Sequence, residues 1–549
     1  MLSTLVTIGV LASWTTLVNI KPSESFNDIV KLDYCPKLLK LVPEENSQLL
    51  SLSDFHSEAY KNYSLSVWQD AIKIYTPSFD DLGAVGEDKR WEVFFEFEKY
   101  LKQSFPAVHE FASLEQVNLH GLVYHIKGSD ASLKPIMLTG HQDVVPVPPE
   151  TIKRWTYPPF EAHFDGKFVW GRGSSDCKNN VIGIFEALEQ LFTHGFKPKR
   201  GIVVALGFDE ESSGKEGAEK IGQYLLRNFG EKSFFSIIDE GGLGIQDFYG
   251  TRFALPSTGE KGYVDIVIDL VTQGGHSSVP PKHTGIGIIS HLVTLIESYD
   301  YSLDITDKNP FFYQLQCEAK FGATIGHRLK SDLLNIGDPK SKKRALDILA
   351  TDGTTRALLS TTQAVDIIHG GLKINALPEK VTLKINHRVG YDSSIKEVKD
   401  RITSLVLQVA DLYGLGVQAF EKTLKDAVNG QFTIISDSDL DPAPLTSTIG
   451  NPTWDILGGT IKHVFEDFAN FSDHNPEVDP EVIVAPSCMT GNTDTKHYWK
   501  LSENIYRFTP IQQEKRLNAH AIDERVQLDA HIEGVVFYHQ FIRNADSYE

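Results

Sequence analysis

The chain has 549 residues, which on a prior of ~150 residues per domain allows several domains. Hydrophobic residues make up 41% and charged residues 23%, values that exclude a disordered, collagen-like or coiled-coil protein. With 53 basic against 73 acidic residues the net charge is −20, which disfavours binding to nucleic acid or to an anionic membrane surface. The four cysteines share no CxxC spacing, which excludes a thiolate zinc finger and leaves one or two disulfides open.

The N-terminal segment, residues 2–20, is apolar and carries no charge before Lys21. Such a run is typical of a signal peptide or a short membrane anchor, and the alternative is a buried first helix or strand. Two glycosylation sequons, at Asn62 and Asn470, agree with a secretory route but are near the number expected by chance. Residues 1–20 are therefore predicted to direct the chain into the secretory pathway.

Helical and strand patterns alternate between residues 86 and 250. Helical spacing covers 91–105, 178–194 and 215–229, and short apolar runs at 135–138, 202–206 and 234–238 read as buried strands. Strands that alternate with helices of this length indicate a largely parallel sheet covered on both faces. We predict the first part of an α/β catalytic domain over residues 55–259.

The pattern changes near residue 260. Residues 263–272 alternate apolar with polar side chains, and helices are predicted over 285–298 and 394–413, with β-runs at 371–389, 416–421 and 431–436. Residues 300–360 are only weakly patterned. The α/β pattern returns with a helix near Trp454 and a strand at 482–485. The sequence thus predicts an α+β domain at 260–440 inserted into an α/β domain that resumes at 441–549.

Potential metal ligands follow the predicted strands. In open α/β sheets ligands bind at the carboxyl ends of the strands. The side chains found there are His141 and Asp143, Asp176, Glu210 and Glu211, Asp239 and Glu240, and Asp494 and His497. Nitrogen and oxygen ligands without cysteine favour a catalytic zinc or manganese site over a structural one.

Each of these motifs has an ordinary explanation when taken alone. Asp176 could cap the helix that follows it, and Glu210-Glu211 could be a solvated acidic pair. Their conjunction at successive strand ends is what points to one site. Three further histidines, His369, His387 and His520, lack partner ligands nearby in the sequence and are expected to be structural.

Five segments together resemble a known family: GHQDVVPV, GRGSSDCKNN, GFDEE, IIDEGG and GNTDTKHY. They are similar to the di-zinc peptidases and amidohydrolases, which include aminoacylase, carnosinase and bacterial glutamate carboxypeptidase. Within that family the chain looks most like the carboxypeptidase S branch, fungal vacuolar enzymes that act on Gly-Xaa peptides. The resemblance covers roughly residues 90–549.

The resemblance implies two Zn²⁺ ions per subunit. Asp176 would bridge them, and the other ligands would be His141, His497, Glu211 and a carboxylate from Asp239-Glu240, with Glu240 favoured. Asp143 would orient His141 or a neighbouring ligand. Glu210 would act as the general base on water held and activated by the two metals.

The resemblance also implies roles for three residues of the inserted domain. His276 would stabilise the oxyanion in the partner subunit's site, Arg388 would pair with the substrate's C-terminal carboxylate, and Asn375 would bind nearby. The expected protein is a homodimeric carboxypeptidase for short peptides, with no nucleic-acid partner, in the vacuole lumen or anchored to its membrane, or else secreted. The alternative is an N-acyl amino acid hydrolase that uses the same di-zinc site.

Overall fold

The computed structural model describes residues 33–469 and 481–549. The predicted signal or anchor at 1–20 and the sequon at Asn470 lie outside these ranges. Among the helices of the described residues, none combines the length and apolarity that crossing a membrane requires.

The described helices are α1 (Leu52–Phe55), α2 (Glu58–Lys73), α3 (Val93–Ser104), α4 (Pro106–Phe111), α5 (Lys178–Thr193), α6 (Ala218–Phe229), α7 (Gly285–Glu297), α8 (Pro310–Phe321), α9 (His327–Leu334), α10 (Pro339–Leu349), α11 (Gly353–Leu358), α12 (Ile395–Tyr413), α13 (Pro452–Asp467) and α14 (Leu528–Ser547). Within the described ranges every predicted helix is present, with ends shifted by a few residues.

The described strands are β1 (Ala112–Val117), β2 (Gly121–Ile126), β3 (Ile136–His141), β4 (His163–Phe164), β5 (Phe168–Trp170), β6 (Ile202–Gly207), β7 (Ser236–Asp239), β8 (Ile245–Phe248), β9 (Thr251–Ala254), β10 (Ser257–Glu260), β11 (Gly262–Thr272), β12 (Gly275–His276), β13 (Thr362–Gly370), β14 (Ala376–Leu377), β15 (Lys380–Val389), β16 (Gly416–Ala419), β17 (Lys422–Lys425), β18 (Gly430–Leu440), β19 (Val482–Val484), β20 (Ser487–Met489), β21 (Ile505–Arg507), β22 (Arg516–Leu517) and β23 (Arg525–Gln527).

An eight-stranded sheet forms the centre of the molecule, in the order β1-β2-β6-β3-β7-β21-β10-β20. Strands β6, β3, β7 and β21 run parallel to their neighbours within this block, while β1 and β2 are antiparallel. Alternate side chains of β3 face opposite sides: Leu138 packs into the core that contains α5 and α14, and Met137 packs against α6. The sheet is therefore covered by helices on both faces, and the ends of its strands lie between these two helical layers.

A second sheet of six strands is built from residues 262–440, in the order β13-β15-β11-β18-β16-β17. Its long central strands pair antiparallel over their whole length, with Tyr263 opposite Arg388. Helices α7 and α12 cover one face, and their apolar residues form a core of their own with the strands. The chain enters this sheet directly from β10 of the central sheet.

Residues 300–360 contain four helices, α8 to α11, where the sequence shows only a weak pattern. Helix α8 packs beside β10 and β20 of the central sheet. A disulfide joins Cys317 of this helix to Cys35, and Lys320 donates a hydrogen bond to the Cys35 carbonyl at 2.9 Å. The other two cysteines, Cys177 and Cys488, are free and buried.

The segment after Cys35 runs along α13 as an extended strap. The Leu41 N–H donates to the Gly459 carbonyl at 3.0 Å, and Lys40 pairs with Glu466 at 3.1 Å. A Cβ atom at Gly458 would lie 2.2 Å from Leu38 Cδ1, so the strap approaches the helix where glycine leaves room for it. The strap thus fastens residues 35–44 to the second part of the α/β domain.

Candidate active site

The site begins at the end of β3, where His141 is almost completely buried. Its Nδ1 lies 3.0 Å from the Asp143 carbonyl oxygen and 3.2 Å from Asp143 Oδ1. These contacts fix the plane of the ring and turn Nε2 towards Asp176, whose Oδ1 is 3.2 Å away. Asp143 therefore contacts the His141 ring nitrogen that faces away from Asp176, a geometry compatible with the orienting role predicted for it.

Asp143 also holds the loop that follows β6. Its two carboxylate oxygens accept the backbone N–H groups of Glu210, at 3.2 Å, and Glu211, at 3.1 Å. Asp209 fixes the far end of the same loop by accepting the N–H groups of Glu216 and Gly217, each at 2.7 Å. The two aspartates thus hold the loop by its backbone N–H groups, and the ligand atoms of Glu210 and Glu211 lie close to those of His141.

Asp176 lies in the turn before α5, between two histidines. Its Oδ1 faces His141, while its Oδ2 is 3.2 Å from Nε2 of His520. The same His520 nitrogen is 3.1 Å from Glu211 Oε1. A carboxylate with a different nitrogen ligand at each oxygen has the arrangement that a bridge between two cations requires.

Two buried acidic residues, Asp239 and Glu240, lie at the end of β7. Asp239 Oδ1 accepts the Glu240 N–H at 2.8 Å, which turns Asp239 back towards its own strand. Burial raises the pKa of Glu240 well above its usual range, and the negative charge of Asp176 raises it further. Asp239 Oδ2 is buried and has no hydrogen-bond partner among the described residues, so both carboxylates stay candidate ligands.

The pKa values of these groups are shifted because the groups are close together and partly or fully removed from water. Burial raises the pKa of Glu210 to about 8, partly opposed by His141. Hydrogen bonds to Asp176 and Glu211 raise the pKa of His520 to about 10. A divalent cation among these residues would replace the protons that the histidines share with the carboxylates, so the cluster suits metal binding.

Three overlapping sets of these side chains have ligand atoms close enough to hold a metal ion. The sets are His141 with Asp176 and Cys177, His141 with Glu210 and Glu211, and Asp176 with Glu211 and His520. Burial raises the pKa of Cys177 beyond its normal range, so its thiol is a poor ligand. The remaining nitrogen and oxygen donors fit a metal site of the catalytic kind.

Comparison with known proteins identifies this site. Residues 137–544, which carry all the side chains of the cluster, match one peptidase family. The chain belongs to peptidase family M20/M25/M40.

Relatives within the M20 family extend the match to nearly the whole chain. Carboxypeptidase S of Saccharomyces cerevisiae is 40% identical over 525 residues, which cover 94% of this chain and 90% of the relative. N-fatty-acyl-amino acid synthase/hydrolase PM20D1 of Mus musculus is 32% identical, covering 87% of each chain. The solved structure of human carnosine dipeptidase 1 has the same fold, with a TM-score of 0.60 at 14% identity over 90% of this chain and 99% of that one.

These similarities confirm four predictions made from the sequence. They are the family resemblance, the α/β fold of an M20 peptidase, the enzyme class and the function of a metallocarboxypeptidase. A metal site is also present as a cluster of candidate ligands.

The strand ends of this M20 fold do not all belong to one sheet. The ends of β3, β6 and β7 lie side by side in the central sheet. However, β5, which precedes Asp176, lies in a four-stranded sheet, and β19 lies in a three-stranded sheet with β8 and β9. The predicted ligands after β3, β6 and β7 and the segment 490–497 after β20 thus follow strands of the central sheet, whereas Asp176 follows β5 of a separate sheet, so the expectation of a single open sheet is correct except for Asp176.

His497, predicted as a metal ligand, is not part of any candidate metal cluster among the described residues. Its Nε2 lies 3.3 Å from the Ser213 carbonyl oxygen, and burial lowers its pKa to about 4. His520, expected to be structural, occupies the position beside Asp176 and Glu211 instead. The geometry thus places His520, rather than His497, with the other candidate ligands, which differs from the prediction made from the sequence.

The three residues predicted to bind substrate lie in the inserted region, and no described hydrogen bond joins them to the metal cluster. His276 is exposed on β12, and its Nδ1 accepts the Ser278 N–H at 3.1 Å, which leaves Nε2 as the protonated nitrogen. The Asn375 carbonyl accepts the Ser277 N–H at 3.2 Å, so the two segments form one tongue. Arg388 Nη1 donates to Asn492 Oδ1 at 3.1 Å.

Proposed function

We propose that the chain is a two-zinc carboxypeptidase that removes the C-terminal residue from short peptides of the Gly-Xaa type. The observation that carries the proposal is the position of Asp176, with one carboxylate oxygen against His141 and the other against His520. One zinc ion would be held by His141, Asp176 and Glu240, and the second by His520, Asp176 and Glu211. Asp239 is the alternative to Glu240.

When bound, the two ions would supply a polarised scissile carbonyl and a water of lowered pKa. Glu210 would take the proton from that water and pass it to the leaving amine. Its partly buried position beside His141 supports this role, because a carboxyl whose pKa is raised can both accept and return a proton near neutral pH.

The side chain best placed to read a substrate carboxylate is Arg388. It is half-buried on β15, its guanidinium is 5.8 Å from the centre of the Tyr263 ring, and no carboxylate among the described residues forms an ion pair with it. Asn492, which accepts its hydrogen bond, belongs to the turn that follows β20 of the central sheet. An arginine whose described contacts are a neutral amide and an aromatic ring retains donors for a two-point contact with a carboxylate.

Wild-type enzyme should therefore cleave Cbz-Gly-Leu much faster than its C-terminal amide, and Arg388→Ala should lose most of that preference. A lost charge-assisted pair is worth ~1.5–3 kcal/mol in kcat/KM. Arg356→Ala, which removes an exposed ion pair with Asp300, is the matched control and should leave the ratio unchanged. Equal cleavage of the acid and the amide by wild type would reject a carboxypeptidase.

The second candidate is an N-acyl amino acid hydrolase. It is favoured by the 32% identity to N-fatty-acyl-amino acid synthase/hydrolase of Mus musculus, since every proposed ligand could serve either substrate. Assays of N-acetyl and N-oleoyl amino acids beside Cbz-Gly-Leu separate the two. A higher kcat/KM for N-oleoyl substrates would establish the alternative.

Residues 260–440 are proposed to act as a lid and to form a homodimer. Strand β13 lies at the edge of the six-stranded sheet and exposes Ile367 and Ile368, which suits pairing across a two-fold axis. The tongue that carries His276 is exposed in the same region, with its protonated Nε2 free to serve the partner's site.

Co-expression tests this arrangement. A chain with Glu210→Ala and a chain with His276→Ala should each be inactive alone, whereas co-expressed chains should recover about a quarter of wild-type activity, because half the dimers are mixed and each has one complete site. Co-expression of Glu210→Ala with itself is the control. Activity that stays at background in the mixture would show that His276 does not act in the partner's site.

The proposed location is the secretory pathway, with the vacuole preferred and secretion as the alternative. The disulfide between Cys35 and Cys317 supports it, because such bonds persist mainly in oxidising compartments. Asn62 of the first sequon is exposed on α2, where it is accessible for glycosylation.

A further inference from the structure

Glu524 is a fully buried carboxylate that belongs to neither proposed metal site. It lies four residues after His520 and immediately before β23. Its relative exposure is 0%, so its charge needs partners within the protein. Those partners lie about 350 residues earlier in the chain, in the turn that leads to Asp176.

That turn is built around the Glu524 side chain. Oε1 accepts three backbone N–H groups, from Gly173 at 3.0 Å, Ser175 at 2.8 Å and Asp176 at 3.2 Å. Oε2 forms a buried ion pair with Arg172. Gly173 has φ +86°, a conformation that glycine adopts without strain, and this turn is what brings the three N–H groups to one oxygen.

The His520 segment meets the same turn at two other points. The Glu524 carbonyl accepts the Gly171 N–H at 2.9 Å, and Arg516 Nε donates to Ser175 Oγ at 2.5 Å. Residues 516–524 and 171–176 are therefore joined on both sides of His520 along the chain. The Glu524 side chain accepts three of the backbone N–H groups of the turn, and one of these is the N–H of Asp176 itself.

We infer that Glu524 is a positioning residue that fixes Asp176 relative to His520, so that the second metal ion can bind between them. This inference rests on the proposed two-zinc function. A carboxylate suits the task, because it offers only acceptors to a set of donors that consists of three N–H groups and a guanidinium. Residues that orient metal ligands in this way typically contribute 10–100-fold to metal affinity.

Glu524→Gln tests the inference with zinc itself as the probe. The glutamine amide has the same shape as the glutamate side chain, but its NH₂ group would face either Arg172 or the backbone N–H groups of the turn. All of these are donors, so the NH₂ group would find no acceptor there. Competitive titration of metal-free protein against a chromophoric chelator should show the weaker of two zinc sites weakened ~10–100-fold, with the tighter site changed less. Hydrogen exchange of a peptide covering residues 170–177 should be faster than in wild type.

Glu186→Gln is the matched control. Glu186 is equally buried and hydrogen-bonded, to Tyr60 at 3.0 Å and His531 at 2.9 Å, yet it is not a member of the metal cluster. The Glu186→Gln variant should have lower thermal stability than wild type, but the affinities of both zinc sites should be unchanged. If Glu524→Gln fails to fold, Glu524→Asp keeps the charge but not the reach, and should still weaken the second site.

The outcomes separate the two proposals. A wild-type chain that binds fewer than two zinc ions would reject the proposed function and, with it, the inference. Wild type with two ions and a Glu524 variant with unchanged zinc affinities would reject the inference alone. Equal weakening in Glu186→Gln would show that burial of a carboxylate, rather than its contact with the Asp176 turn, is what matters.

Discussion

Replacing Glu210 with glutamine should lower kcat by ~10²–10⁴ while both zinc ions remain bound. The amide cannot accept the proton of the attacking water, but Glu210 is not a proposed ligand. Because its backbone N–H, rather than its side chain, is what Asp143 accepts at 3.2 Å, the loop should keep its position. Zinc content by elemental analysis, measured on the same sample as the kcat for Cbz-Gly-Leu, checks both halves of the expectation.

Glu216→Gln provides the control on the same loop. Its carboxylate accepts a hydrogen bond from Asn118 at 2.8 Å, away from the cluster, so kcat should stay near wild type. A Glu210 variant that keeps most of its activity with two zinc ions bound would remove Glu210 from the role of base. A variant that loses zinc would make it a ligand instead.

His520→Ala should lose one zinc ion and most activity, whereas His497→Ala should keep both ions. The physical reason is that His520 Nε2 contacts two other ligand candidates, Asp176 and Glu211, while His497 contacts a backbone carbonyl. A metal site that loses one of three protein ligands binds weakly. We expect a fall in kcat/KM of at least ~10², the upper end of the loss seen when only supporting residues are changed.

The two alanine variants should be measured side by side, because both remove an imidazole from the second part of the α/β domain. Zinc added in excess should partly restore activity to the His520 variant, since the remaining ligands still attract a cation. The assignment fails if His497→Ala loses the metal and His520→Ala retains it. In that case the sequence interpretation would be correct and the geometry misleading.

The difference between these histidines shows what the sequence could reveal about the site. Four of the predicted site residues follow buried strands: His141, Glu210, Glu211 and Glu240. Because the ends of neighbouring parallel strands lie close together, the local sequence pattern is enough to predict that these residues are near one another. His520 follows no long strand. It lies in an irregular turn with φ +59°, and its partners are more than 300 residues away in the chain. Periodicity carries no information about such a contact.

The helices α8 to α11 were missed for a different reason. Helix α8 buries Gln314, Gln316 and Glu318 as well as apolar residues, so it shows no single apolar face. The signals that could have found these helices are their caps. Asn309 and Asp338 each accept an N–H of the first turn, and each is followed by a proline at the first helical position.

The link between Cys35 and Cys317 has a consequence for how the chain tolerates proteases. The two cysteines are 282 positions apart, and the covalent ring they close includes all of the first catalytic part and the strands β11 and β12. If a protease cuts one peptide bond in an exposed loop between Cys35 and Cys317, the disulfide still joins the two fragments. Nicked enzyme should therefore migrate as one chain in non-reducing electrophoresis and as two after reduction.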